Sequence, residues 1–370
     1  MSLTAMGGKP NGYTRPPLKL SLRKADKLMR KYSEENERIK RHYFQYLREA
    51  MRRDQATVDK AADAILKFEA STGFKPFKRF HIDQAMAFKK KLEAAKHTRT
   101  GKPLSKATID GVLRVNKAFI HWLAGQPGYK SRIKYSDAEY FNINAKDARI
   151  AHQQRDKPHP TMAQTLHAFK LMPDGSDIER RNKALFALLM LTGMRDGAMA
   201  SLRLKRVDLV EGCIYQDARD VKTKNAKTFT TWFYPVDPIY RTCFESWVNY
   251  IRNDRLFGHE DAVFPKPEMT ISPDGGFMVG GLSRDTYANG GKIREVIKGA
   301  FTSAGLPAFV PHSFRKTLTI YGDQLCTTRS QFKAWSLNMG HDNIITTLSA
   351  YCPITTEMQG KMIKAMVELN

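Results

Sequence analysis

Apolar residues recur along this chain mostly at three- and four-residue spacing, the period of a helix that buries one face. Val58, Ala62, Ile65 and Phe68 share a face of a helix predicted over residues 56–70, which Ser71-Thr72-Gly73 stops. A very basic helical segment, with Leu20, Leu28 and Tyr32 at helical spacing, precedes it from Leu20 to Asp54. Lys75–Phe80 alternates Lys and Arg with Phe and Pro and reads as a basic loop. A third helix is expected over 82–96. A fourth, capped by Ser105, carries Ile109, Val112, Val115 and Phe119 as far as Gly125-Gln126-Pro127-Gly128.

Residues 145–160 are polar and charged and close on Pro158-His159-Pro160, as a linker between domains would. Thr161 is an N-cap candidate for the helix that follows. Ala184–Leu191 is apolar on every side, which predicts a buried helix, and it runs into Thr192-Gly193-Met194-Arg195, where Gly193 breaks it. Only 207–233 shows period-two alternation, and it reads as a short antiparallel sheet with a basic turn at Lys222, Lys224 and Lys227. Residues 265–291, rich in Gly and Pro, read as a loop. Further helices are expected over 239–252, 292–304, 312–324 and 330–339, and a tail over 354–369 would place Met358, Met362, Ile363 and Met366 on one face.

The pattern predicts a mainly α protein with a small antiparallel β-sheet. Residues 1–19 would be a disordered N-terminus, 20–144 an all-α domain and 145–160 a linker. Residues 161–370 would form an α+β domain ending in a tail helix.

Composition changes this picture in one respect. The chain has 61 Lys and Arg against 37 Asp and Glu, a formal net charge of +24. Residues 1–150 alone hold 33 basic and 15 acidic side chains, +18 of that total. Such an excess favours a polyanion through counterion release, with double-stranded DNA the first candidate. A membrane is the weaker alternative, because no apolar run approaches the roughly 18 residues of a span. The four cysteines, Cys213, Cys243, Cys326 and Cys352, show neither CxxC nor Cys/His ligand spacing. They read as reduced thiols of a cytoplasmic protein with no metal site.

The candidate chemistry is concentrated near the C-terminus. His312 and Arg315 stand three apart on one helix face, His341 follows Gly340, and Tyr351 comes ten residues later. Taken singly each has a plainer reading: a structural histidine, a helix-end cap, one of 14 tyrosines. Together they offer a phenol nucleophile, a base and cationic groups without a carboxylate. That set suits attack on a phosphodiester, where negative charge grows on the non-bridging oxygens. Arg195, at a helix mouth, is placed to hold a phosphate. A lysine of the basic turn could protonate a leaving 5′-oxygen.

The ordered series Thr192-Gly193-Met194-Arg195, Lys222-Thr223, His312-Ser313-Phe314-Arg315, Met339-Gly340-His341 and Tyr351 resembles the tyrosine recombinase (phage integrase) family over about residues 158–360. The basic helical region before it is similar in position and character to that family's core-binding domain. The resemblance implies a site-specific DNA recombinase in which Arg195, Arg315 and His341 hold the scissile phosphate. It makes Lys222 the general acid, with Lys224 as the alternative, His312 an acid/base and Tyr351 the nucleophile that forms a 3′-phosphotyrosyl bond. It implies no ATP, metal or other cofactor. Its partners would be double-stranded DNA, three further copies in a homotetramer on paired sites and an accessory DNA-bending protein.

Two positions depart from the family's pattern. Ala198 stands where an acidic residue usually supports the first arginine, and Lys316 where histidine is common. Ala198 leaves open a catalytically weakened DNA-binding relative. A type IB topoisomerase-like nick-and-reseal enzyme is the other alternative.

Overall fold

The computed structural model describes residues 33–98, 100–153, 158–272, 274–341 and 359. Tyr351, the Leu20–Tyr32 part of the first predicted helix and, Gln359 apart, the predicted tail helix lie outside them. The chain divides between residues 154 and 155 into two compact units.

Apart from one short bridge between Lys96 and Pro103, the regular elements of the first unit's described residues are all helices. Helix α1 (Glu34–Gln45) begins at Ser33 and widens into a π turn at Tyr46–Ala50. Helix α2 (Gln55–Ser71) is capped by Asp54, whose carboxylate accepts from Thr57 N at 2.7 Å. Helix α3 (Ile82–Ala94) follows, then α4 (Lys106–Ala124), started by the Ser105 hydroxyl as its sequence implies. Phe68, Phe88, Phe119 and Phe141 form the centre of the core, with the Phe68 ring edge-on to Phe88 and Phe141 at 5.3 Å each. The basic stretch at 75–80 contributes to that core as well: Phe77 and Phe80 turn inward from a 3₁₀ turn while Lys78 and Arg79 stay outside it.

Residues 145–152, read above as part of a linker, instead form helix α5 (Ala145–His152). Asn144 caps it, and the Lys106–Asp147 ion pair at 2.8 Å fastens it to α4. Its few apolar residues give too weak a stripe to mark a helix, and the cap decides the outcome.

A buried polar cluster ties α1 to α2. Glu69, fully buried, accepts from Asn36 Nδ2 at 2.8 Å and from Lys40 Nζ at 2.6 Å. Asn36 also donates to Lys75 O and accepts from Phe77 N, so two of these three amide bonds position the 75–80 turn.

The second unit is built around α7 (Asp177–Thr192), preceded by α6 (Met162–Lys170) and begun by a reciprocal Ser176–Glu179 cap. Every residue from Ala184 to Thr192 is buried, as an all-round apolar helix must be. Helices α9 (Pro238–Asn253), α10 (Gly291–Ser303), α11 (Pro311–Leu325) and α12 (Arg329–Asn338) pack in the same core. The short α8 (Asp196–Ala200) follows the Gly193 break.

Strands β1 (Val207–Asp208), β2 (Cys213–Gln216) and β3 (Phe229–Trp232) form an antiparallel sheet in that order, with Ile214 opposite both Val207 and Thr231. β3 is docked onto the end of α12. Trp232 N donates to Asn338 Oδ1 at 2.7 Å, and Asn338 Nδ2 returns a bond to Trp232 O at 2.9 Å.

Residues 265–291 are not simply a loop. They contain a hairpin of β4 (Pro267–Ile271) and β5 (Phe277–Leu282), with a bulge at Glu268/Met269. Met269, Ile271 and Met278 are exposed, so the hairpin lacks the alternation that a half-buried strand displays. No helix among the described residues is long and apolar enough to cross a membrane.

Candidate active site

Three chain breaks converge on one guanidinium. α7 ends when Gly193 takes a left-handed conformation (φ 58°, ψ 23°), so its carbonyl leaves the helical ladder and accepts from Arg315 Nη1 at 2.7 Å. α12 ends at Met339, whose carbonyl accepts from Arg315 Nη2 at 2.8 Å. Gly340, again left-handed at φ 74°, then turns the chain so that the His341 ring meets the same Nη2 at 2.7 Å. Arg315 itself lies on the second turn of α11, begun by Pro311 at N1, and is only 2% exposed. Arg315 is thus fixed by two main-chain oxygens and a ring nitrogen, and no carboxylate pairs with it among the described residues. Its Nε, also buried, has no hydrogen-bond acceptor there.

That contact fixes the chemistry of His341. A guanidinium has donors only, so His341 Nε2 must be the acceptor, and the neutral ring carries its proton on Nδ1. Burial, and then the positive charges of Arg315, Arg195, Lys227 and His312, push the His341 pKa down to about 3. The same field places those four side chains within electrostatic reach of the ring. We expect the His341 imidazole of the DNA-free protein to remain the neutral Nδ1–H tautomer from pH 8 down to pH 5. Nitrogen NMR shifts of labelled histidine read this directly, and an imidazolium at pH 6 would contradict it. The linked effect on stability follows in sign. The unfolded chain takes up a proton near the ordinary histidine value while the folded one does not. The contribution is therefore complete above that value and is lost as pH falls toward 3. An anion placed among these cations would reverse the electrostatic part of the shift.

Arg195 stands half-buried at the N-cap of α8 with extended backbone (φ −74°, ψ 145°). Ala198, at the position of the family's acidic residue, packs in the core at 1% exposure. The nearby carboxylate, Asp196, is paired with Arg294 of α10. His312 is exposed on the first turn of α11.

The structure therefore brings Arg195, His312, Arg315 and His341 together. The Lys222 main chain passes beside Gly197, two residues after Arg195, and its polar groups have partners of their own. The Lys222 amide donates to Ser201 Oγ at 2.8 Å, and its ammonium donates to Ala288 O at 2.8 Å. Lys224 is exposed in the turn. The lysine whose charge His341 feels is Lys227, whose Nζ lies 5.5 Å from the centre of the Phe229 ring. Sequence spacing gives Lys227 no preference over its neighbours. The one available signal is that it directly precedes the alternating strand run, where a side chain is anchored to the sheet. The two carbonyls that hold Arg315 have no side-chain signature. Cys213, Cys243 and Cys326 are free thiols. Cys352, like Tyr351, lies outside the described residues.

Comparison with known proteins agrees with this geometry. The profile of the phage integrase family matches residues 160–358. Among solved structures, lambda integrase bound as a dimer to a COC′ core site superposes with a TM-score of 0.57 at 12% identity, covering 85% of this chain and 94% of that one. The Tn1549 transposon integrase in complex with transposon right end DNA gives 0.54 at 16% identity, covering 89% and 99%. The XerH site-specific recombinase on palindromic difH substrate gives 0.54 at 16% identity, covering 86% and 82%. At these identities the likeness is one of fold. No curated protein sequence matches this chain significantly.

Proposed function

Because the chain belongs to the phage integrase family, we propose that it is a site-specific DNA recombinase that cuts and rejoins strands through a 3′-phosphotyrosyl bond to Tyr351. The observation that carries the site assignment is the buried Arg315, held by Gly193 O, Met339 O and His341 Nε2 with the charge of Arg195 near by. A buried cation without a carboxylate partner is costly, and an anionic ligand compensates it. Donors fixed in place before the reaction stabilise charge developing on a phosphate without reorganising.

In this reading Arg195 and Arg315 bind the non-bridging oxygens, and His341 donates to the phosphate from its Nδ1–H. His312 takes the phenolic proton of Tyr351. The bond energy is held in the phosphotyrosyl ester, so rejoining needs no nucleotide. Double-stranded DNA is the substrate, and the basic first unit supplies part of the grip. Exchange between two duplexes requires a nucleophile for each of four strands. The reading therefore extends to a homotetramer on paired sites, with an accessory DNA-bending protein assisting their meeting.

Covalent trapping tests it. A duplex selected from a randomised pool by retention on the protein, nicked beside the cleavage position, is incubated with the chain in EDTA. The expected result is an SDS-resistant adduct whose peptide maps to Tyr351. An adduct on another residue would refute the nucleophile. Tight retention with no adduct on any selected duplex would leave a DNA-binding protein. Supercoil relaxation without recombinant product would instead favour the topoisomerase-like alternative.

A further inference from the structure

Arg195 stands at the mouth of a helix that cannot hold itself in place. α8 has five residues, too few to be stable alone, and an arginine side chain carries donors only, so it cannot cap the helix it begins. The family's usual support is missing as well, because Ala198 buries a methyl group where an acid is expected. The far end of α8 is fastened by neighbouring chain: the Lys222 amide donates to Ser201 Oγ at 2.8 Å, and the Tyr287 amide donates to Ala200 O at 3.0 Å. The near end is fastened through Asp196. One of its carboxylate oxygens accepts from Gly197 N at 2.8 Å, and the other accepts from Arg294 Nε. Arg294 lies near the start of α10, whose Ile293, Ile297 and Phe301 are fully buried, so the anchor is built on the core. Gly290, the N-cap of α10, closes over the same side chain: a Cβ there would come within 2.8 Å of Asp196 Cβ and Cγ. The positive end of α10 favours a carboxylate at that place.

Resting on the strand-exchange reading above, we infer that Arg294 is a positioning residue for strand cleavage. Through Asp196, and with Gly290 packed on the same side chain, it sets the start of α8 and so the point from which Arg195 reaches the phosphate. The pair takes over the support that an acid at position 198 does not supply. It is partly open to solvent, with side-chain exposures of 55% at Arg294 and 27% at Asp196, so it contributes little to stability. Catalytic geometry is more demanding than stability, since a misplacement of about 1 Å costs on the order of 10² in rate. Loss of the pair therefore slows cleavage without unfolding the unit.

The test separates rate from affinity on one nicked duplex selected by retention on the protein. Arg294→Met and Asp196→Ala should each cleave about 10–100-fold more slowly than wild type at saturating duplex. Both should bind that duplex as wild type does, which also shows that they are folded. The double variant should be no slower than either single one, because all three lack the same contact. Arg294→Lys keeps a positive charge for the carboxylate and should recover most of the rate. Gly290→Ala changes no charge, yet by displacing Asp196 it should slow cleavage in the same way. Lys292→Met, which removes a neighbouring charge from α10, should cleave like wild type. Weakened affinity in Arg294→Met with a normal rate at saturation would make Arg294 a DNA contact and overturn the inference. Additive losses in the double variant, or a wild-type rate in Gly290→Ala, would overturn it as well. Those results leave the strand-exchange reading intact, whereas absence of cleavage by wild type on every retained duplex would refute that reading and this inference with it.

Discussion

Arg315→Met is expected to abolish strand cleavage while leaving the second unit folded. Loss of one preorganised donor to a developing oxyanion costs about 10²–10³ in rate. Arg315 presents a charge as well as donors, so the effect should fall at or beyond the upper end. Stability responds to opposing changes. The substitution strands two carbonyls, Gly193 O and Met339 O, each costing about 1–3 kcal/mol when buried and unsatisfied. It also removes a buried charge that no described carboxylate compensates, and whose desolvation costs several kcal/mol. Methionine keeps the unbranched apolar stem. The two contributions offset, so the melting temperature should stay within a few degrees of wild type while adduct formation disappears. A large drop in melting temperature would mean that Arg315 is chiefly a structural tie. Retained cleavage would remove it from the site.

The opposite balance is expected at Glu69→Ala in the first unit. Glu69 is fully buried and holds both Asn36 Nδ2 and Lys40 Nζ. Removing it leaves Lys40, itself 7% exposed, with only the more exposed Glu37 as a partner, at 2.6 Å. Breaking one side of a buried pair costs about 3–5 kcal/mol. Since Glu37 recovers part of that, about 3 kcal/mol is the expected loss. Amide hydrogen exchange in the full chain should show protection of residues 34–80 falling by a factor of roughly 100. The second unit should be unchanged. Glu69→Gln, which keeps an acceptor oxygen for one of the two donors, should lose less than Glu69→Ala without matching wild type. Unchanged exchange in Glu69→Ala would show that the cluster contributes nothing to the unit's stability.

The contrast between these two sites explains what the sequence made legible. Long amphipathic or all-apolar stretches announced themselves. Ser105, Thr161 and the Ala184–Leu191 run each mark an element whose local chemistry and tertiary burial agree. Arg195, His312, Arg315 and His341 were legible because their spacing is that of a familiar series, and the fold does gather them. The misses share a cause. α5 depends on a cap and one ion pair rather than on an apolar stripe, and β4–β5 has no buried face, so neither leaves a periodic trace. The linear reading matches Lys222-Thr223 to the family series and does not single out Lys227, whose charge acts on His341. What separates the two lysines is a left-handed turn at Asn225-Ala226 and a sheet docked on Asn338, both long-range properties.

The support of Arg315 carries a consequence for how this protein can vary. Its two oxygen acceptors belong to peptide bonds, which every amino acid possesses. No exchange of side chain can delete either one, so the cradle is indifferent to most drift in the residues that form it. Its weak points are the two positions where the backbone itself must be unusual. A Cβ at Gly193 would press on Leu318 at 3.1 Å, and one at Gly340 on Phe229 at 2.6 Å, each at a positive φ that other residues resist. Inherited change could reshape nearly the whole surface around the arginine and keep its orientation, yet one extra methyl group at either glycine would unseat it.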